Sequence, residues 1–195
     1  RAEDIPKHSF SLRFREEYGQ GELAYPVFTD QPGGNTATNR FDYLQLRSGF
    51  NHAWTHRHYY QSRHAQYNRD QWVNDLYLAM GNPGVHGCWF HLYINGLYWG
   101  LYHVHERPDA NYMATYFGGE KEDYDAVNSG QATDGSLASW RRMRALARQA
   151  HDPDAFAELE TQLNIDALID YMLLNFYVGN WDWDGHNWRA AGAVK

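Results

Sequence analysis

Apolar and polar residues alternate at the start of the chain. In HSFSLRFR (His8 to Arg15), Phe10, Leu12 and Phe14 interleave with Ser9, Ser11, Arg13 and Arg15, the period of a half-buried strand. A turn at YGQGELAYP and a polar loop at DQPGGNTATNR follow. FDYLQLRSG (Phe41 to Gly49) then predicts a second strand, with Phe41, Tyr43 and Gln45 on one face and Leu44 and Leu46 on the other. In NRDQWVNDLYLAMG, Trp72, Val73, Leu76 and Met80 recur at helical spacing between a capping Asn68 and a terminating Gly81. CWFHLYINGLYWGLYHVHE (Cys88 to Glu106) places two aromatic and β-branched runs on either side of Asn95-Gly96, a strong short-range hairpin signal.

Beyond ERPD the period changes to that of helices. ANYMATYFGG predicts a short helix stopped by Gly118-Gly119, and KEDYDAVNSG a strand and turn. Ser136 to Ala150 and Asp152 to Leu163 are helical in pattern. NIDALIDYMLLNFYVG carries a full stripe of Ile165, Leu168, Ile169, Met172, Leu173, Phe176 and Tyr177 between Asn164 and Gly179. This order predicts an α+β fold in two parts. The first, residues 1–106, is β-rich, with a helix near 69–80 and a hairpin at 88–106; the second, residues 107–195, is helical.

A formal net charge of −7 argues against a dedicated nucleic-acid binder, which needs a basic footprint. Fourteen Arg stand against three Lys, so a phosphate-binding cation in this chain is more readily an Arg. A single cysteine, Cys88, excludes an internal disulfide framework and a Cys-rich zinc site. No apolar run reaches the length of a membrane span. The chain begins without Met and ends at RAAGAVK, which reads as a segment of a longer protein.

The densest chemistry is in GNWDWDGHNWRA (Gly179 to Ala190), directly after the best helix. Asp182 and Asn187 are five residues apart, the spacing of the Asp and Asn in a kinase catalytic loop. There the Asp accepts the hydrogen bond of a substrate hydroxyl, while the neutral amide supports a metal on the nucleotide phosphates. A capped, solvated turn explains the same spacing, and Asp184 rivals either role. A kinase-like site also needs a cation carried by the β-rich part. Lys7 lies beside the first strand, and Arg13, Arg15 and Arg47 are substitutes. Arg47 ends a strand shortly before the helix of Asp70 and Asp75, where a strand cation and a helix acid pair in a kinase lobe. Gly19-x-Gly21 gives a weak phosphate-loop signal. Glu106, ahead of Arg107-Pro108, falls at a hinge position, to hold nucleotide or to pair with Arg107.

His52, His56, His58 and His64 sit close in sequence, but with no Cys and no HExxH pattern a polar aromatic loop is a better reading than zinc. Arg141, Arg142, Arg144 and Arg148 form a basic helix stripe, either solvated or open to an acidic protein substrate. There is no GxSxG elbow, and Cys88 in a buried-looking strand is a poor nucleophile.

Taken in order, KHSFSLRFREEYGQGELAYPVF, FDYLQLRSGFNHAW, RDQWVNDLYLAMG, HLYINGLYWGLYHVHERPDANYMATYFGG and IDYMLLNFYVGNWDWDGHNW resemble the CotH kinase family, the spore-coat-protein-H-like atypical protein kinases. YINGLYWGLYHVHE and NFYVGNWDWDGHN are the most specific of these stretches. The resemblance implies a two-lobed, protein-kinase-like fold that binds ATP with Mg²⁺ or Mn²⁺ and phosphorylates Ser or Thr of a protein substrate. It gives Asp182 the catalytic-loop Asp role and Asn187 the metal-supporting role, and leaves Lys7, Arg47 and Glu106 as nucleotide-binding candidates. Members carry a further WD.D-type stretch some twenty residues past the catalytic-loop Asp, whereas this chain ends thirteen residues past Asp182. The resemblance therefore implies a helical lobe that is incomplete at its C-terminus and a segment inactive on its own. Many members have Lys where Asn128 stands here, which argues against a phosphate contact from that segment. Two non-catalytic readings stand beside the kinase: a pseudokinase or surface and coat assembly scaffold, and a carbohydrate-binding surface built on the Trp and Tyr excess.

Overall fold

The alternating stretch at the start of the chain forms β1 (Phe10–Arg13), followed by the short strands β2 (Leu23–Ala24) and β3 (Arg40–Phe41), then β4 (Tyr43–Arg47). Helices α1 (Tyr59–Arg63) and α2 (Arg69–Ala79) lead to the hairpin β5 (Gly87–Ile94) and β6 (Leu97–His105). In this computed structural model, which describes residues 7–194, the chain is α+β and divides into the units Arg1–Arg107 and Pro108–Lys195. The extremes of the two parts expected from sequence, residues 1–6 and 195, lie outside the described residues.

In the first unit four strands form an antiparallel sheet in the order β1-β4-β6-β5, and β2 pairs with β3 apart from it. Asn95 and Gly96 both take positive φ, 51° and 79°, as a two-residue hairpin turn requires. The register aligns Phe10 with Leu46, Leu46 with Val104 and Val104 with Cys88, so one face of the sheet is an apolar row. With Leu44 and Tyr102 it builds the core, closed by Phe28 from a turn and by Phe41 of β3. Phe28 and Tyr102 are 0% exposed. Phe41 departs from its expected face: a bend at Asp42 separates β3 from β4 and turns Phe41 into the core with Leu44 and Leu46, while Tyr43 stays half-buried.

The opposite face is polar, because Gln45 stands across from His105 and Arg47 across from His103. Helix α2 is tied to this face by an amide. Gln71, 2% exposed, donates to Asp75 (2.7 Å) and to the Val85 carbonyl (3.3 Å), and its own amide oxygen accepts from Nε2 of His103 (2.9 Å). Trp89 stacks on the His103 ring at 4.9 Å. Gly87 makes room for the contact: a Cβ there would lie 2.2 Å from Oε1 of Gln71 and 2.7 Å from Nε2 of His103. The apolar stripe expected to seat α2 does not do so, since Trp72 and Met80 remain 47% and 43% exposed.

The second unit runs α3 (Ala110–Phe117), β7 (Tyr124–Asn128), β8 (Gln131–Asp134), α4 (Ala138–Ala147), α5 (Pro153–Gln162), α6 (Ile165–Tyr177) and β9 (Arg189–Ala193). Asp109, Asp152 and Asn164 cap α3, α5 and α6 through side chains that accept backbone N–H groups, filling donors that helix starts leave unpaired. The strand expected in KEDYDAVNSG forms as β7, and the otherwise helical second part holds two more strands that were not foreseen: β8-β7-β9 form an antiparallel sheet. RAAGA has no strand propensity of its own. Its pairing with β7, from Asn128 opposite Arg189 to Tyr124 opposite Ala193, imposes the extended form. Buried Asp125 of β7 accepts from Ser136 N (2.6 Å) and Ser139 Oγ (2.8 Å) at the start of α4. Burial alone would raise its pKa, but these hydrogen bonds outweigh that and hold it low.

Two outcomes follow for the seat of α2. Gly87→Ala forces Gln71 or the strand to move and costs about 1–3 kcal/mol in urea unfolding, whereas Gly192→Ala, with nothing within 4 Å of the new Cβ, stays near neutral. His103 is buried, which lowers its pKa to about 3, with repulsion from His105 and Arg47 adding to the shift and Asp70 opposing it. Its folded value lies below its unfolded one, so the stability it contributes is complete above about pH 6.5 and is lost as pH falls toward 3. Urea midpoints measured from pH 7 to pH 4 should record a loss on the order of 3 kcal/mol, with a shallower slope in His103→Gln.

Candidate functional site

In the second unit, α6 delivers the loop that carries Asp182 and Asn187. Gly179 leaves the helix with φ 63°, and Asn180 is fastened back to Asn175 twice, by its N–H to the carbonyl (3.0 Å) and by its amide to Oδ1 (2.7 Å). Trp183 sits edge-on to Tyr171 and Phe176 of the helix, at 6.0 and 5.7 Å. Trp188 packs on Trp140 at 5.1 Å and donates its indole N–H to the Asp184 carbonyl. Trp181, by contrast, is 95% exposed.

Between these anchors the chain closes on itself. The His186 N–H donates to the Asp182 carbonyl (3.1 Å), and the N–H of Asn187, at φ 64°, donates to Ser129 Oγ (3.0 Å) on the turn after β7. The Ser129 N–H in turn donates to the Trp188 carbonyl (3.0 Å). Asn187 Nδ2 thereby reaches Asp182 Oδ2 at 3.2 Å, with His186 Nε2 3.8 Å from Oδ1. The Asp182 side chain remains 53% exposed. An accessible carboxylate and an amide are thus held side by side, able to accept from a hydroxyl and to offer two oxygens to a cation. Ser129 was not foreseen as part of this loop, since only the β7–β9 pairing brings it there.

In the first unit Arg47 donates to Asp70 Oδ2 at 2.5 Å, joining the end of β4 to the first turn of α2. Both side chains are more than one-third exposed. Burial pushes the Asp70 carboxyl up, but Arg47, His52 and His103 together outweigh it and leave the group below its ordinary value. Only one guanidinium nitrogen is spent on Asp70, so the remaining N–H groups of Arg47 are open to an anion.

The other two candidates have partners inside the unit. Lys7 Nζ donates to the Tyr67 hydroxyl (3.0 Å) and the Leu101 carbonyl, and lies 4.3 Å over the ring of Tyr102. Burial lowers its pKa. Glu106 is only 3% exposed; its Oε2 accepts from the His86 backbone N–H (2.9 Å) and lies 2.7 Å from His86 Nδ1, while Thr36 Oγ1 meets His86 Nε2 at 2.9 Å. A carboxylate so enclosed pins the ends of β5 and β6 rather than facing a ligand. Burial pushes the Cys88 thiol up to about 12, which rules it out as a nucleophile.

Among the described residues no three His, Cys, Asp or Glu side chains gather as a metal cage, and no helix is long and apolar enough to cross a membrane. Mg²⁺ bound with a nucleotide needs fewer protein ligands, one or two oxygens beside phosphate and water. Asp182 and Asn187 fit that sparser demand.

Neither a curated protein nor a solved structure matches the chain. The CotH kinase protein family matches residues 2–191. That span takes in both the Arg47–Asp70 pair and the Asp182–Asn187 loop, and the chain belongs to the CotH kinase family.

Proposed function

We propose that the chain is the nucleotide- and acceptor-handling part of an ATP-dependent atypical protein kinase that phosphorylates Ser or Thr hydroxyls. The observation that carries this reading is the 3.2 Å contact between Asn187 Nδ2 and Asp182 Oδ2 in an exposed, multiply anchored loop. A turn of no chemical consequence would not need the tethers from Asn180, Ser129, Trp183 and Trp188 that fix it. Asp182 accepts the hydrogen bond of the acceptor hydroxyl and takes its proton as the phosphoryl group transfers. Asn187 supports the metal through its side-chain oxygen, and Arg47, oriented by Asp70, steadies the nucleotide phosphates. Mg²⁺ or Mn²⁺ carried with ATP neutralises charge building on the transferred group. Lys7 and Glu106 serve this reading indirectly, by holding the sheet that presents Arg47.

A second reading, a non-catalytic assembly scaffold, is favoured by the aromatic hairpin, where Tyr93, Leu97 and Tyr98 are 62%, 69% and 55% exposed. The two readings part on one measurement. In the full-length gene product, Asp182→Asn should reduce ³²P transfer from ATP to protein by about 10²–10⁴-fold, with an unchanged melting temperature. Equal transfer by variant and wild type would remove Asp182 from the mechanism, and absence of transfer by wild type would favour the scaffold. Arg47→Ala should weaken ATP binding about tenfold in calorimetry, a cost of about 1.4 kcal/mol.

A further inference from the structure

From Tyr43 to Arg69 the chain carries four Arg, four His and no Asp or Glu, within a protein of net charge −7. The second unit has the opposite character, with fourteen Asp and Glu against seven Lys and Arg in residues 108–195. Arg47 is neutralised by Asp70, but Arg57, Arg63 and Arg69 enter no ion pair among the described residues. All three are exposed. They lie on the segment that joins β4 to α2 and includes α1.

Two of these cations, Arg63 and Arg69, are held in place by neutral groups. Arg63 lies 5.1 Å over the ring of Tyr59 and donates to its hydroxyl. Arg69 donates to the His64 carbonyl (3.3 Å) and to the Gln66 amide oxygen (3.4 Å), and the His64 ring stacks on Tyr60 at 4.3 Å. Tyr59 and Tyr60 are 69% and 60% exposed, which leaves their rings and hydroxyls at the surface beside the arginines. The result is an array of guanidinium, imidazole and phenol groups on a segment that contains no carboxylate of its own, with Asp70 at its end taken up by Arg47.

We infer that this arm docks a segment of the protein substrate that already carries phosphoserine or phosphothreonine. The choice of a phosphorylated partner rests on the phosphotransfer reading above; the need for an anion rests on the charges alone. Guanidinium forks match phosphate oxygens, and a phosphomonoester brings nearly two charges and three acceptors in one side chain. A nucleic acid fits less well, because three cations outside ion pairs make a small footprint for a long polyanion, and the protein's net charge of −7 opposes it. An enzyme so equipped holds segments it has already modified and favours further transfer nearby.

The test uses the full-length protein without ATP and a fluorescein-labelled Gly/Ser peptide bearing two phosphoserines three residues apart, read by fluorescence anisotropy. The phosphorylated peptide should bind at least tenfold more tightly than its unphosphorylated form. Arg57→Glu/Arg63→Glu should abolish that difference, and Arg57→Gln/Arg63→Gln should reduce it, with melting temperatures unchanged because both side chains are exposed. Asp182→Asn should bind the phosphopeptide like wild type. Equal binding of the two peptides, equal binding of a peptide with Glu at the phosphoserine positions, tighter binding of single-stranded RNA, or retention of the preference by the Glu double variant would each overturn the inference. Phosphopeptide binding in a protein that transfers no phosphate would leave the arm standing and sink the kinase reading; transfer without the preference would do the reverse.

Discussion

The register of β6 between β4 and β5 is the constraint on which the first unit depends. Side chains alternate along a strand, so a slip of one residue would send Tyr102 and Val104 to the polar face and His103 into the core. The Asn95-Gly96 turn and the register shift between Leu92 and Tyr93 set that register from the near end. Glu106 sets it from the far end, because its carboxylate accepts both the backbone and the ring of His86. With both ends fixed, Val104 falls between Leu46 and Cys88, and His103 falls beside Arg47 and under Gln71. The position of α2, and therefore the meeting of Arg47 and Asp70, follows from an alignment fixed more than ten residues away.

The second unit reaches its site differently. Its loop leaves a helix and is closed by contacts distant in sequence: Ser129 of the turn after β7 and Trp140 of α4 hold Asn187 and Trp188. Strand β9 follows at once and pairs with β7, so the loop is clamped between a helix that precedes it and a sheet that follows it. In the phosphotransfer proposed for this chain, a carboxylate that meets a hydroxyl in one geometry would gain from such fixation, since positioning supplies much of the rate in phosphoryl transfer. Its exposure keeps it available.

What was legible in the sequence was periodicity and turn chemistry. The hairpin, the helix start at Asn164 and the stop at Gly179 are local signals, and each has a local physical cause, whereas Asn68, expected to cap α2, makes no side-chain cap bond. The stripes on α2 and α6 were legible as patterns, yet they misstate burial: α2 is seated by Gln71, and on α6 Leu174 and Asn175 are buried while Leu173 and Phe176 are 56% and 63% exposed. Apolar spacing counts side chains by type and cannot see an amide that satisfies both its donor and its acceptor across a sheet. Strand β9 was invisible for the converse reason, its extended form coming wholly from its partner.

The charged candidates show the same limit in a sharper form. Lys7, Arg47, Glu106 and Asp182 look alike in sequence as ionisable groups near expected strand or helix ends. Their chemistry is decided by partners found only in three dimensions: Tyr67 lies sixty positions from Lys7, Asp70 twenty-three from Arg47 and His86 twenty from Glu106. A buried carboxylate must be enclosed by donors to be tolerated at all, and the donors that stabilise Glu106 are what withdraw it from chemistry. Asp182 has its partner Asn187 five residues away and keeps half of its side chain in solvent, so spacing could indicate the pairing, though not its chemistry. A partner was readable where the contact is local, and unreadable where it is distant in sequence.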